Sequence, residues 1–384
     1  MVITIVCDVL GAENNGTTIA AMNLIRSLRR AGHEVRVVCA DAARAGEPGF
    51  FVVPTVNFGP LNGYVARNGV TLAKPQRAVL EAAMQGADAV HVMIPLALGS
   101  AAARLAQARG LPLTAGFHCQ AENVTNHIFL MNAPAANRLA YRIFYQKLYR
   151  RCDAIHYPTQ FICDTFERIV GPTNHYVISN GVNRAFTPGP AVRPAEWAGK
   201  FAVLFTGRYS REKSHAVLVD AVARSRHRDR IQLVFAGRGP QEEAIRRRAQ
   251  ARGILPPVMR FYSRAELINV IRSADLYVHP AEIEIEAIAC LEAIACGKTP
   301  VIADSPRSAT RYFARTPENL FRCNDPDDLA AKIDYWIDHP DARAKNSAEY
   351  ANYAAQFDFD VCMRRMERMI RETAARKAKA RAAQ

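Results

Sequence analysis

The chain has 384 residues, 49% of them apolar and 22% charged, and its 50 Lys+Arg against 36 Asp+Glu leave a formal charge of +14. Such a composition excludes a disordered, collagen-like or coiled-coil chain, and at roughly 100–200 residues per domain it predicts two globular domains. The uncharged apolar stretch Ala89 to Ala103 has 15 residues, short of the ~18 that a transmembrane helix needs.

In chain order, residues 2–9 read as a buried strand that begins at once, so no signal peptide is expected. A polar turn, Gly11 to Gly16, leads into a helical pattern from Thr18 to Ala31, and Gly32 stops it before a second strand at 33–39. This is a βαβ unit, which implies parallel strands. The alternation continues with a helix near 74–85, a strand at 88–93, a helix near 98–109 and a strand at 112–117. Residues 134–151 look helical, 154–157 a strand, and 160–169 a short helix. A Pro/Gly-rich connection near 185–198 separates this series from a second one. There, strands are expected at 201–207, 231–236, 258–262, 275–279 and 299–303, with helices at 212–225, 240–252, 264–273, 287–296, 327–338 and 341–355. The last helix starts at about 360, and Asp358-Phe-Asp360 reads as its beginning, not as a metal motif.

The charge is clustered. Residues 137–151 carry Arg138, Arg142, Lys147, Arg150 and Arg151 without an acid, and residues 361–384 carry eight bases against two acids. These segments hold +5 and +6 of the +14, and clustered charge points to an anionic partner, nucleic acid or anionic lipid. On 134–151 the bases interleave with Tyr141, Phe144, Tyr145, Leu148 and Tyr149, a pattern suited to a helix lying in a membrane interface. The nine cysteines are scattered and form no C-x-x-C, so reduced thiols in a cytoplasmic protein are expected, with no disulfide framework and no metal site.

The densest chemistry lies in the second half. In Phe205-Thr-Gly-Arg208-Tyr-Ser-Arg-Glu-Lys213, a glycine after a strand lets backbone approach a ligand. Arg208 and Lys213 supply a planar fork and a point charge suited to a diphosphate. Farther on, Glu282-Ile-Glu284-Ile-Glu286-Ala287-Ile288 joins a strand end to a helix containing Glu292, and helix N-terminal amides favour anions. Extended backbone would put the three acids on one side, where they need cations, sugar hydroxyls or water.

These motifs resemble the family 4 retaining glycosyltransferases. The family's Glu-x7-Glu signature corresponds to Glu284 … Glu292, followed by Ala-Ile-Ala-Cys-Gly297-Lys-Thr-Pro-Val. Gly207-Arg208 … Glu212-Lys213, Ser179-Asn180-Gly-Val-Asn183 and Ala236-Gly-Arg-Gly-Pro240 match three further elements in the family's order. Glu286 and Ala287 replace the commoner Phe-Gly, and Ser305-Pro-Arg-Ser-Ala-Thr310 replaces a Gly-Gly loop. With Gly116-Phe-His118 and the basic helix after it, these departures look like the bacterial diacylglycerol glycosyltransferases that make membrane glycolipids.

The resemblance implies an α/β architecture, the GT-B fold: two Rossmann-like doubly wound domains facing a cleft, with the C-terminal helix crossing back. The expected domains are 1–185 with 360–384 for the acceptor, and 186–359 for the nucleotide sugar. It also implies a UDP-sugar donor, no required cofactor and a lipid acceptor at an anionic membrane, with the enzyme peripheral on the inner face of the cell membrane. Glu284 would hold donor-sugar hydroxyls and steady charge at the anomeric carbon, and His118 would contact the sugar or position the acceptor. Glu292 would take the ribose hydroxyls, and Arg208 and Lys213 the diphosphate. Gly16, Glu286, Ala287 and Ile288 complete the donor set, and Asn180 lines the site. Arg138, Tyr141, Arg142, Tyr145, Lys147 and Arg150 would meet the membrane. UDP-glucuronate or UDP-galactose as donor, a sphingolipid acceptor and a soluble or polysaccharide acceptor remain open. Nucleic-acid binding rests on the net charge alone and conflicts with the motif set.

Overall fold

The computed structural model describes residues 1–11, 16–57, 59, 72–126 and 129–383. The turn expected after the first strand has its residues 12–15 outside the described set. The chain divides into two compact units, Met1–Asn180 with Asp360–Gln384, and Gly181–Phe359.

The first unit is built on a seven-stranded sheet in the order β3-β2-β1-β4-β5-β6-β7. The strands are β1 Val2–Val6, β2 Glu34–Cys39, β3 Phe50–Val52, β4 Ala89–Val92, β5 Leu113–Gly116, β6 Ala154–Tyr157 and β7 His175–Val177. The second holds a six-stranded sheet, β10-β9-β8-β11-β12-β13. Its strands are β8 Phe201–Thr206, β9 Ile231–Ala236, β10 Val258–Arg260, β11 Leu276–His279, β12 Pro300–Asp304 and β13 Leu320–Arg322. All ladders between these strands are parallel. Helices cover both faces of such a sheet, so its central strands are buried on both sides and mostly apolar; β8 and β9 are buried at every residue.

The strand order reverses between β1 and β4 in one sheet and between β8 and β11 in the other. Open α/β sheets bind ligands outside the carboxyl ends of the strands at such a reversal. The turns after β8 and β11 therefore lie side by side.

The last helix, Phe359–Ala382, packs within the first unit. Lys377 Nζ bonds Asp153 Oδ2 at 2.7 Å and the Leu111 carbonyl at 3.0 Å, and Glu367 meets His33 at 3.2 Å. Part of the basic tail is thus committed to this unit's own acids and carbonyls.

The basic helix corrects an expectation. It runs Pro134–Lys147, and a separate 3₁₀ turn, Tyr149–Arg151, follows. Tyr141, Phe144, Leu148 and Tyr149 are buried, and Tyr145 is half-buried. Tyr141 donates to Glu122 Oε2 at 2.9 Å, and Phe117 stacks on Tyr149 with centroids 5.0 Å apart. These rings are core, so Tyr141 does not face a membrane. The outer face carries Arg138, Leu139, Arg142, Ile143, Lys147 and Arg150, all exposed. Among the described residues no helix is long and apolar enough to cross a membrane.

Candidate active site

In the second unit the turn after β8 needs glycine in the turn packed against it. A Cβ on Gly237 would stand 2.0 Å from the Gly207 carbonyl oxygen, and one on Gly239 would stand 2.6 Å from that of Tyr209. Only glycine permits such an approach. Three backbone bonds then join the turns, Gly207 N–H to Ala236, Tyr209 N–H to Arg238 and Gln241 N–H to Tyr209. They hold half-buried Arg208 in place. The short 3₁₀ turn Arg211–Lys213 follows, and the Glu282 N–H donates to the Glu212 carbonyl at 2.9 Å, tying this loop to the one after β11.

The loop after β11 bends at 282, 285 and 286, so the acids do not share one side as extended backbone would require. Glu282 forms an ion pair with Arg307, and Glu284 one with Lys213. Glu286 is buried. The Ser305–Thr310 loop holds Glu284 by its backbone: the Ala309 N–H donates to the Glu284 carbonyl at 2.8 Å, and a parallel bridge joins Glu284 to Ser308.

Glu284 Oε1 receives the Lys213 ammonium and lies 3.2 Å from His279 Nε2. A carboxylate only accepts, so His279 carries its proton on Nε2 and accepts through Nδ1 from Tyr277 Oη at 3.1 Å. Thr206 stands behind, 3.0 Å from Tyr277 Oη. Tyr277 and His279 share a face because they are two apart on β11. Burial opposes the charge of Glu284, but Lys213 and His279 outweigh it and hold the carboxyl at about 2. Oε2 accepts no hydrogen bond among the described residues, so the site offers one fixed anionic oxygen. Lys213 is correspondingly shared with Glu284 and is not reserved for a diphosphate.

Ala287 precedes the helix Ile288–Ala295 with φ +61°. This is the left-handed region that glycine occupies at little cost, and the chain enters the helix at Ile288 directly from it. Glu292 sits in this helix, partly buried, and burial pushes its carboxyl up to about 7, only partly opposed by Arg264. Its side chain has no hydrogen-bond or ion-pair partner among the described residues. A lone, desolvated carboxylate is suited to receiving ligand hydroxyls.

In the first unit His118 follows β5 and is half-buried. The Thr17 hydroxyl donates to its carbonyl at 3.3 Å, which links it to the start of the helix Gly16–Arg30. Gly16 is exposed, and a Cβ there would meet no protein atom within 4 Å. Asn180 is buried. The sequence reading missed His279, Tyr277 and Thr206. The available signal was a histidine closing a strand five residues before Glu284.

Two family models match the chain: Glycosyltransferase Family 4 over residues 14–186 and Glycosyl transferases group 1 over residues 193–356. A GDP-mannose-dependent alpha-mannosyltransferase of Corynebacterium glutamicum is 27% identical over 315 residues, 77% of this chain and 71% of its own length. An alpha-monoglucosyldiacylglycerol synthase of Streptococcus pneumoniae is 24% identical over 231 residues, 56% of this chain and 51% of its own length. Among solved structures, Anabaena HepE in complex with UDP and glucose superposes with a TM-score of 0.76 at 16% identity, over 97% of this chain and 100% of that one. The order of motifs, the two parallel sheets and both family models agree, and the chain belongs to the family 4 glycosyltransferases of the GT-B fold.

Proposed function

We propose that this enzyme transfers a hexosyl group, glucose first, from a UDP-sugar to the hydroxyl of a membrane lipid such as diacylglycerol, with retention. The observation that carries the transfer chemistry is Glu284, ionised and pinned through Oε1, with Oε2 left to take a sugar hydroxyl. A fixed anion there steadies positive charge on the anomeric carbon as the bond to the leaving phosphate breaks. The acceptor oxygen forms the new bond on the same face, and its proton passes to the departing phosphate oxygen. Arg208 and the amides at Ile288 take up the charge of the diphosphate, and Glu292 the ribose hydroxyls. Arg307 is committed to Glu282, which favours an uncharged hexose over a uronate.

The lipid acceptor rests on the outer face of the helix Pro134–Lys147. Leu139 and Ile143 are 59% and 46% exposed among exposed Arg138, Arg142, Lys147 and Arg150, and Phe129 just before the helix is 81% exposed. Bases near an anionic surface contribute about 1 kcal/mol each, so the four give about 4 kcal/mol, roughly a thousandfold in affinity. One relative is named for glucosyldiacylglycerol and another for GDP-mannose, so the test spans both nucleotides.

The protein is incubated with UDP- and GDP-sugars, with and without anionic liposomes carrying diacylglycerol, ceramide or cholesterol, and the lipids are read by mass spectrometry. A hexosyl-lipid that vanishes with Glu284→Gln bears the reading out. Donor hydrolysis without a glycolipid would leave glycosyl transfer standing and sink the lipid acceptor.

A further inference from the structure

Two histidines that the site above does not use, His91 and His156, border His118. On β4, His91 stands opposite Thr114 of β5; on β6, His156 stands opposite Gly116 of β5. Thr114 and Gly116 are two apart, so all four positions share one face of the sheet. Gly116 leaves a gap on that face, and two imidazole edges fill it. A Cβ on Gly116 would stand 2.5 Å from His118 Nε2 and 3.5 Å from His91 Nε2. The rings of His118 and His156 have centroids 5.4 Å apart.

Hydrogen bonds assign the protons of both neighbours. His156 Nε2 lies 2.6 Å from the Ile178 carbonyl, which can only accept, so Nε2 carries the proton and Nδ1 a bare lone pair. His91 Nδ1 lies 2.9 Å from Thr114 Oγ1, whose own proton points to the Val90 carbonyl at 3.4 Å. His91 Nδ1 is then the donor and Nε2 the bare nitrogen. Both bare nitrogens are buried without a hydrogen-bond partner among the described residues. A buried acceptor left so gives up the bond it had with water and gains none in return. His118 is the neighbouring ring with an N–H to give, directly or through one water.

We propose that His91 and His156 are positioning residues for His118: their bare nitrogens draw its Nε2–H inward, and His118 turns Nδ1 outward to accept from a substrate hydroxyl. The proposal rests on the reading of His118 as a group that touches substrate. It makes His118 a neutral acceptor and not a cation. Burial first, then His156 and His91, hold His118 well below the ordinary histidine range. Among the described residues those two, from β6 and β4, are the titratable groups that act on it, and no carboxylate offsets them.

Long-range ¹H–¹⁵N spectra of the full chain labelled at histidine distinguish the imidazole tautomers, with His118→Gln giving the assignment. In the unsubstituted protein His118 is expected as the neutral Nε2–H form from pH 8 to 5. In the His91→Asn/His156→Gln double variant, which keeps a donor toward Thr114 and toward Ile178, the tautomers should mix and His118 should gain a proton at higher pH. If that variant does not fold, Gly116→Ala, which pushes His118 out of its gap, should give the same mixture. An Nδ1–H form in the unsubstituted protein, or His118 behaviour unchanged in the folded variants, would overturn the proposal. Transfer activity of His118→Gln separates the two ideas, because full activity sinks the substrate contact and leaves the tautomer result intact.

Discussion

Both units bury imidazoles at the carboxyl ends of their strands, and they do so in opposite ways. In the second, His279 lies between Tyr277 and a carboxylate, and Lys213 completes the charge balance. In the first, His91, His118 and His156 gather around a glycine with no carboxylate acting on His118. Burial is tolerable for a charge only when a partner satisfies it. The second cluster can therefore stay ionised and act electrostatically, whereas the first is held neutral and can act only through hydrogen bonds.

The sharpest way to break this contrast is Glu284→Gln. It removes the anion and leaves Lys213 and His279 only a neutral amide oxygen to donate to, and the transfer rate should fall by about 10²–10³-fold, the cost of losing one preorganised electrostatic group. Because Glu284 titrates at about 2, it remains ionised down to pH 5, and a rate that declines between pH 7 and 5 reports another group.

The next effect is on stability in acid. His91, His156 and His215 are pushed to about 3, 4 and 3, and His118 and His279 are also lowered. Below pH 6.5 the unfolded chain takes up protons that the folded one refuses, so stability falls with pH. Asp8, raised to about 6, and Glu292, raised to about 7, act in the opposite sense and offset part of it. Five histidines outnumber the two acids, so the net effect is a loss of stability as pH falls from 6.5 to 5. Three of the five histidines lie in the first unit, so hydrogen exchange should show it opening at higher pH than the second. Equal loss in both would contradict the contrast.

Gly116→Ala tests the gap itself. Its Cβ would meet His118 Nε2 at 2.5 Å. On the proposed reading of His118 as a substrate contact, displacing its ring by about 1 Å should cost about 10–100-fold in rate, with little change in the melting temperature. The smallest effect is Ala287→Gly. It relieves a left-handed alanine worth about 1–2 kcal/mol but adds freedom to the unfolded chain, so the melting temperature should rise by about 1–2 °C.

What sequence could and could not convey follows from the kind of contact involved. Gly207-Arg208 … Lys213 and Glu284 … Glu292 were readable because each lies in one continuous turn or helix. The ion pair of Lys213 with Glu284 was not, because it depends on β8 lying beside β11. The same holds for His91 and His156, which meet His118 only through the register of three strands. On the helix Pro134–Lys147 the spacing showed which residues share a face but not which face is inward; Tyr141 and Phe144 form one face, Leu139 and Ile143 the other. The strands β3, β7 and β13 have three residues each, too few for periodicity to register.

The helix Phe359–Ala382 has a consequence for synthesis. It seats Met363, Met366, Met369 and Ile370 in the core of a unit whose other residues end at Asn180. A ribosome therefore completes the entire second unit before it supplies the piece that closes the first. The second unit can fold during translation, while the nascent first unit waits with the apolar groove that will receive these methionines uncovered, a natural point for chaperones to act.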